Sequence, residues 1–232
     1  MVDDHGVLFK GADKAKDQSY FLHAVSADAF AETVFPLGDL QKAEVRGIAR
    51  DFGLKIHNKK DSTGICFIGE RPFREFLSTY IPANPGPMET PEGNTVGEHQ
   101  GLMYYTLGQR QGLYIGGRKD GSEEPWYVVA KNVADNKLIV AQGEHELLFS
   151  NALTATDTSW IGSPPADLAD GLRCSAKIRY RQADQPCVVS QHDSETLRVA
   201  FDERQKAVAP GQFVVFYVGD HCLGGAVIDS TQ

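Results

Sequence analysis

A chain of 232 residues that is 41% hydrophobic and 23% charged is long enough to bury a real core and too ordinary in composition to be fibrous or disordered. A formal net charge of −8 excludes a molecule that is basic all over, so any contact with nucleic acid has to be local. No apolar run could cross a bilayer, and no charged-then-apolar start reads as a signal peptide. Four cysteines without a Cys-x-x-Cys pair or zinc-site spacing indicate reduced thiols in the cytoplasm and no metal centre.

Residues 1–15 are polar, carry Gly6 and Gly11, and read as a strand or loop. Lys16-Asp17-Gln18-Ser19-Tyr20-Phe21-Leu22 is a polar cluster running into apolar residues. Ser26 is placed as an N-cap, and the pattern predicts a helix over 27–35 that Pro36 ends. A second helix is predicted over 41–52, with Val45, Ile48 and Ala49 on one face and Gly53 as its C′ residue. These helices are too few to bury their own apolar faces, so the first seventy residues read as the tail of a larger domain.

Lys59-Lys60-Asp61-Ser62-Thr63-Gly64-Ile65-Cys66-Phe67-Ile68-Gly69-Glu70 sets one cysteine between two glycines, after two lysines. Nearby cations lower a thiol pKa from about 8.5 and favour the nucleophilic thiolate. Cys66 can equally be a small buried apolar side chain, since free cysteine is among the most buried residue types. The local residues leave both readings open.

Phe73, Phe76, Leu77 and Tyr80 recur at helical spacing, with Pro72 in the first turn and Pro82, Pro85 and Pro87 as stops. The stretch 93–117 is rich in glycine and polar residues, in the manner of a functional loop region. His99 within it reads as a structural histidine. Residues 126–132 and 137–142 around Ala134-Asp135-Asn136 form a hairpin signal. Beyond Gly143 the pattern turns all-β, with strands predicted at 153–160, 173–182, 187–191, 197–201, 212–218 and 222–229. Turns at Pro210-Gly211 and Gly219-Asp220 separate several of them, as in a small closed barrel or sandwich. Alternation along 173–181 sets Cys174, Ala176, Ile178 and Tyr180 on one face and Arg173, Ser175, Lys177, Arg179 and Arg181 on the other. That basic row is either a solvated strand face or a ridge for a phosphate backbone. Cys174, Cys187 and Cys222 fall in strand patterns and read as buried and inert.

The run from Asp61 to Arg71 resembles the bacterial tRNA-specific 2-thiouridylases (tRNA-uridine 2-sulfurtransferases). The resemblance continues in the family's order at Lys16–Leu22, Gly97–Arg110, Glu124–Val129, Arg179-Tyr180-Arg181-Gln182 and Ala209-Pro210-Gly211-Gln212. It implies an α+β fragment: a helical remnant of an α/β nucleotide-binding domain over 1–70, a small central mixed domain over 71–145, and a C-terminal antiparallel β-barrel over 146–232. It also implies chemistry in which ATP adenylates the C2 oxygen of the wobble uridine of tRNA and a persulfide sulfur, delivered by a sulfur-relay carrier protein, then replaces it. Cys66 matches the persulfide-carrying cysteine, whose disulfide partner lies earlier in the family. Lys16, Asp17 and Gln18, Arg179 and Tyr180, and Gln212 match tRNA-contacting positions. The family's Mg-dependent ATP site, with its Ser-Gly-Gly-x-Asp-Ser loop, is absent from this sequence, so the resemblance predicts a portion inactive without its N-terminal domain. An RNA-binding adaptor with a structural Cys66 is the alternative reading. A thiol-redox protein is disfavoured because no resolving cysteine lies near Cys66.

Overall fold

A computed structural model describes residues 6–60, 73–116 and 124–232. The described residues begin with β1 (Leu8–Phe9) and two short helices, α1 (Ser19–Leu22) and α2 (Ala27–Ala31). The Ser26 hydroxyl caps α2 by accepting from the Ala29 N–H at 3.4 Å. The helix stops short of the predicted residue 35. Thr33 and Val34 are β-branched, Thr33 turns its hydroxyl back onto the Ala29 carbonyl, and Pro36 disfavours helical geometry at Phe35. The third helix, α3 (Lys42–Asp51), lies where the periodicity predicts it. A Gln41–Glu44 capping box opens it, and Gly53 follows it at φ +69°. No residue of α3 is buried.

After α4 (Phe73–Ser78) come β2 (Gly86–Glu89), β3 (Thr95–His99), β4 (Trp126–Asn132) and β5 (Lys137–Gln142). They form one sheet in the order β3-β2-β5-β4, in which β2 and β5 run parallel and the other pairs antiparallel. The β4–β5 hairpin has the predicted bounds, and Asn136 takes φ +52° in its turn. Met88, Tyr105, Leu113, Val128, Leu138 and Val140 form the core beneath. Each such large side chain taken from water contributes about 1.5–3 kcal/mol.

The rest is β6 (Phe149–Trp160), β7 (Leu172–Lys177), β8 (Gln185–Gln191), β9 (Leu197–Lys206), β10 (Phe213–Val218) and β11 (His221–Thr231). These six close into an antiparallel barrel in the order β11-β10-β7-β8-β9-β6, the β11–β6 pairing completing the ring. The molecule is thus mostly β with few helices, and the predicted barrel is present. Strand β9 outruns its predicted end at residue 201 because its inward positions turn polar. Gln205, 4% exposed, donates to Gln185 Oε1 at 3.1 Å and accepts from Gln182 Nε2 at 3.0 Å.

The described residues up to Lys60 cluster with Asn151–Gln205 and Ala209–Gln232 into one compact unit; the residues up to Ser150 that follow cluster with Lys206–Val208 into the other. In the first unit β1 adds to β11 through Leu8–Cys222 and Phe9–His221. Leu8, Tyr20, Ala27 and Phe30 share a core with Ile161, Val215, Tyr217 and Cys222 of the barrel. Among the described residues no helix is long and apolar enough to cross a membrane.

Candidate nucleic-acid interface

The segment 16–22 is pinned to the barrel by its own side chains. Asp17 Oδ1 accepts from the N–H groups of Gly11 (3.2 Å) and Ser19 (3.0 Å), and its Oδ2 accepts from the Ser19 hydroxyl at 2.9 Å. This Asp-x-Ser turn is a local habit of aspartate that mimics a backbone turn. The Ser19 hydroxyl is 3.2 Å from the Tyr217 hydroxyl. Lys177 Nζ stands 3.8 Å from Asp17 and 3.7 Å from Asp184. Lys10 Nζ lies 2.6 Å from Asp184 and 4.3 Å from the Tyr217 ring centroid. Two ammonium and two carboxylate groups therefore neutralise one another around Tyr217, whose phenol is pushed far up by burial. Cys222 beside it is pushed up to about 11, again by burial. That thiol stays protonated and inert at neutral pH.

Held this way, α1 presents Gln18 outward. Gln18 Nε2 donates to the Tyr180 hydroxyl at 2.8 Å and to the Lys16 carbonyl at 3.3 Å. The Tyr180 ring lies 4.7 Å from Phe21, and Arg181 stacks over its face at 5.1 Å. The Tyr20 hydroxyl donates to the Phe213 carbonyl at 3.0 Å. Burial pushes the Tyr20 phenol up while the positive charge of Arg179 pulls it down. His23, 3% exposed, packs tilted at 58° against Phe213 with ring centroids 4.7 Å apart and donates from Nδ1 to the Tyr20 carbonyl at 2.8 Å. Its pKa is pushed down by burial, so it packs as a neutral ring.

The expected site residues thus divide. Gln18 and Tyr180 meet on one surface, with the Lys16 carbonyl accepting from Gln18 and Arg179 next to Tyr180 in the chain. Gln212 is exposed on the turn that leads into Phe213, and it is Phe213, not Gln212, that touches Tyr20 and His23. Asp17 is buried, and its carboxylate is spent on holding the segment together. Cys66 lies outside the described residues, as does the loop around it. Lys59 and Lys60 before it are exposed, and the Lys59 carbonyl accepts from Arg46 at 3.1 Å.

The unbroken basic row is corrected. Strand β7 ends at Lys177, and Arg179 to Arg181 lie in a turn, Arg181 at φ +65°. The Gln182 side chain closes that turn by accepting from the Ile178 N–H at 2.8 Å. Alternation does hold through Cys174, Ala176 and Ile178, all buried. Arg173, however, is paired to Asp202, which is held below the usual carboxylate range by that hydrogen bond, and Lys177 belongs to the buried network. Only the end of the row at Arg179 and Arg181 adjoins the Gln18–Tyr180 cluster. His99 has the structural role expected of it: it is fully buried, its Nε2 donates to the Asn136 carbonyl at 2.9 Å, and its Nδ1 accepts from the Gly101 N–H at 3.1 Å. Phe21 and the Lys10–Asp184 pair were not anticipated. Their partners are remote in sequence, and no local pattern marks them.

Among the described residues no group of three or more His, Cys, Asp or Glu side chains is arranged to hold a metal ion. Residues 6–60 offer no glycine-rich turn into a helix N-terminus that would cradle a triphosphate, so no step through ATP is assigned to them.

Compared with known proteins, the chain is tiled by three family models. Residues 2–70 match the tRNA methyl transferase HUP domain, 74–142 the tRNA methyl transferase PRC-barrel domain, and 150–228 the Aminomethyltransferase beta-barrel domain. The chain is thus built of three consecutive modules, each matched by its own domain model. Curated relatives narrow this. The tRNA-specific 2-thiouridylase MnmA of Hahella chejuensis is 58% identical over 228 residues, covering 98% of this chain and 62% of the relative. Its namesake in Pseudomonas fluorescens (strain SBW25) is 56% identical over 232 residues, covering 100% and 61%. That of Aeromonas salmonicida is 55% identical over 225 residues, covering 97% and 61%. The chain belongs to the tRNA-specific 2-thiouridylase family. It spans about three fifths of the length of these relatives.

Proposed function

We infer that this chain supplies the tRNA-binding surface and the sulfur-carrying cysteine of an enzyme that thiolates C2 of the wobble uridine in tRNA. The observation that carries the reading is the Gln18–Tyr180 hydrogen bond at 2.8 Å. It joins two segments, remote in sequence, that the family resemblance separately associates with tRNA. The family-model descriptions mention methyl and aminomethyl transfer, whereas the relatives are named for thiolation. Identity of 55–58% over nearly the whole chain outweighs a domain description, and a thiol suits sulfur transfer.

In this reading Gln18, Tyr180, Arg179, Lys16 and Gln212 hold the tRNA, and Asp17 positions Gln18 from behind. The outer sulfur of a persulfide on Cys66 would attack C2, whose oxygen leaves as AMP. A second cysteine would then attack the Cys66 sulfur, breaking the S–S bond so that the outer sulfur stays on C2 and the two cysteines end as a disulfide. ATP activation and that second cysteine belong to an α/β nucleotide-binding domain, of which residues 1–70 form the helical end; residues 71–145 and 146–232 act as the central and barrel modules. Support for a covering domain comes from an apolar surface on the first unit. Val34, Phe35, Phe52 and Ile56 are 50–82% exposed, and a groove of about 710 Å³ runs between Phe9, Leu22, Leu37 and Val45. A sulfur-relay carrier in the cytoplasm would load Cys66.

Arg179→Ala is expected to weaken tRNA binding and to reduce the slope of log affinity against log salt by about one phosphate contact; an unchanged slope would remove Arg179 from the interface. For the chemistry, the chain exposed to a persulfide donor and then alkylated should carry a trapped sulfur adduct on Cys66 by mass spectrometry. Absence of that adduct would return the protein to an RNA-binding adaptor.

A further inference from the structure

Phe21 has no role in anything described so far. It is 54% exposed on α1, although its neighbour Tyr20 is 4% exposed and Leu22 is half-buried. A single exposed apolar residue needs no explanation, but this ring is held in place. Its centroid lies 4.7 Å from Tyr180 at 42° and 5.3 Å from Tyr20 at 84°. Tyr180 is in turn fixed by the Gln18 amide at 2.8 Å and capped by the Arg181 guanidinium at 5.1 Å. The result is an oriented aromatic ring, open to solvent, braced by Tyr180 with the Gln18 amide and the Arg181 guanidinium on that tyrosine.

We propose that Phe21 is a stacking platform for one unpaired base of the bound RNA, with Tyr180 bracing the ring from the side. This rests on the RNA-binding reading above. Proteins that hold single-stranded nucleic acid combine cationic groups on the backbone with aromatic faces under the bases. A protein partner is disfavoured because a guanidinium beside the one exposed ring of this cluster suits a phosphate better than an apolar side chain. A base stacked there is contacted through its π-face, so Phe21 adds affinity for unpaired nucleotides without adding a phosphate contact.

The test compares two RNAs with the full chain: a hairpin with a seven-nucleotide loop, and a blunt duplex of the same stem without the loop. Phe21→Ala is expected to weaken hairpin binding roughly 5- to 150-fold, the range of one lost base stack, with duplex affinity and the salt slope unchanged. Phe21→Leu, which keeps apolar bulk and the packing on Tyr180, should lose nearly as much, and Phe21→Trp should retain binding. A 2-aminopurine in the loop should be quenched by the wild type and not by the leucine variant. The proposal is overturned if Phe21→Leu binds the hairpin like the wild type, or if Phe21→Ala loses hairpin and duplex equally. Failure of the wild type to bind either RNA would overturn the RNA-binding reading together with it, and is distinguishable because it needs no variant.

Discussion

Asp17→Ala is expected to destabilise the barrel-bearing unit by about 3–5 kcal/mol, the cost of removing one partner from a buried ion pair. The Asp17 side chain is 6% exposed and that of Lys177 is 12% exposed, so water can replace little of the lost interaction. After the substitution, Asp184 is the one carboxylate of the network left to Lys177 and Lys10, and the N–H groups of Gly11 and Ser19 lose their acceptor. Each buried donor left unpaired costs about 1–3 kcal/mol in its own right. Asp17→Asn should cost less, because an amide oxygen still accepts from both N–H groups. The measurement is a urea titration followed by Trp160 in a Trp126→Phe background. Trp160 belongs to the barrel unit, where it packs 5.6 Å from Phe216. Adding Lys177→Met should recover part of the loss, since an unpaired ammonium is then removed. Strict additivity of the two changes would mean that the Asp17–Lys177 contact carries no energy.

The network also explains why the surface was only half legible in the sequence. Residue types at Lys16–Gln18 and Arg179–Tyr180 could be matched to a family, but their meeting could not be read, because Gln18 and Tyr180 are 162 residues apart. Neutralisation of Arg173 and Lys177 was invisible for the same reason: Asp202 lies on another strand, and Asp17 belongs to a segment that joins the barrel only on folding. Local devices were read well. The Ser26 cap, the glycine after α3 and the hairpin at Asn136 each depend on a few adjacent residues and on backbone geometry. The predicted strand over 173–182 failed at one point. Alternation continues through Ile178 and Tyr180, but periodicity cannot register that Gln182 folds back onto the Ile178 N–H and turns the chain. Strand β9 failed the opposite way, since a satisfied buried Gln205 does not resemble a core residue in sequence.

The seam that closes the barrel makes the second strong demand on the sequence. Gly224 sits in β11 at φ +139°, opposite Trp160 of β6 and next to a register shift at Phe216/Tyr217. A Cβ there would press on the Ser159 carbonyl oxygen, well inside contact distance, and lie 2.8 Å from Trp160 Cα. Both obstacles are backbone, so no rotamer change relieves them. Gly224→Ala therefore combines strain in a disfavoured region, about 1–3 kcal/mol, with overpacking of about 1–3 kcal/mol, for an expected loss of roughly 2–6 kcal/mol. Gly219→Ala is the control. It too has positive φ, at +57°, but its added methyl meets nothing within 4 Å, so only the left-handed cost of roughly 1–2 kcal/mol applies. The urea midpoint followed by Trp160 should fall much further for Gly224→Ala than for Gly219→Ala. Equal shifts would show that backbone conformation alone matters at these glycines and that the close approach of β6 to β11 does not hold the seam. Gly225 makes the link to the surface, because a Cβ there would meet His23 Cδ2 at 2.5 Å and the Val214 carbonyl at 2.7 Å. His23 holds the Tyr20 carbonyl, so crowding it would shift α1, and with α1 both Gln18 and Phe21. Tight closure of the barrel and placement of Gln18 and Phe21 thus depend on adjacent glycines of one strand.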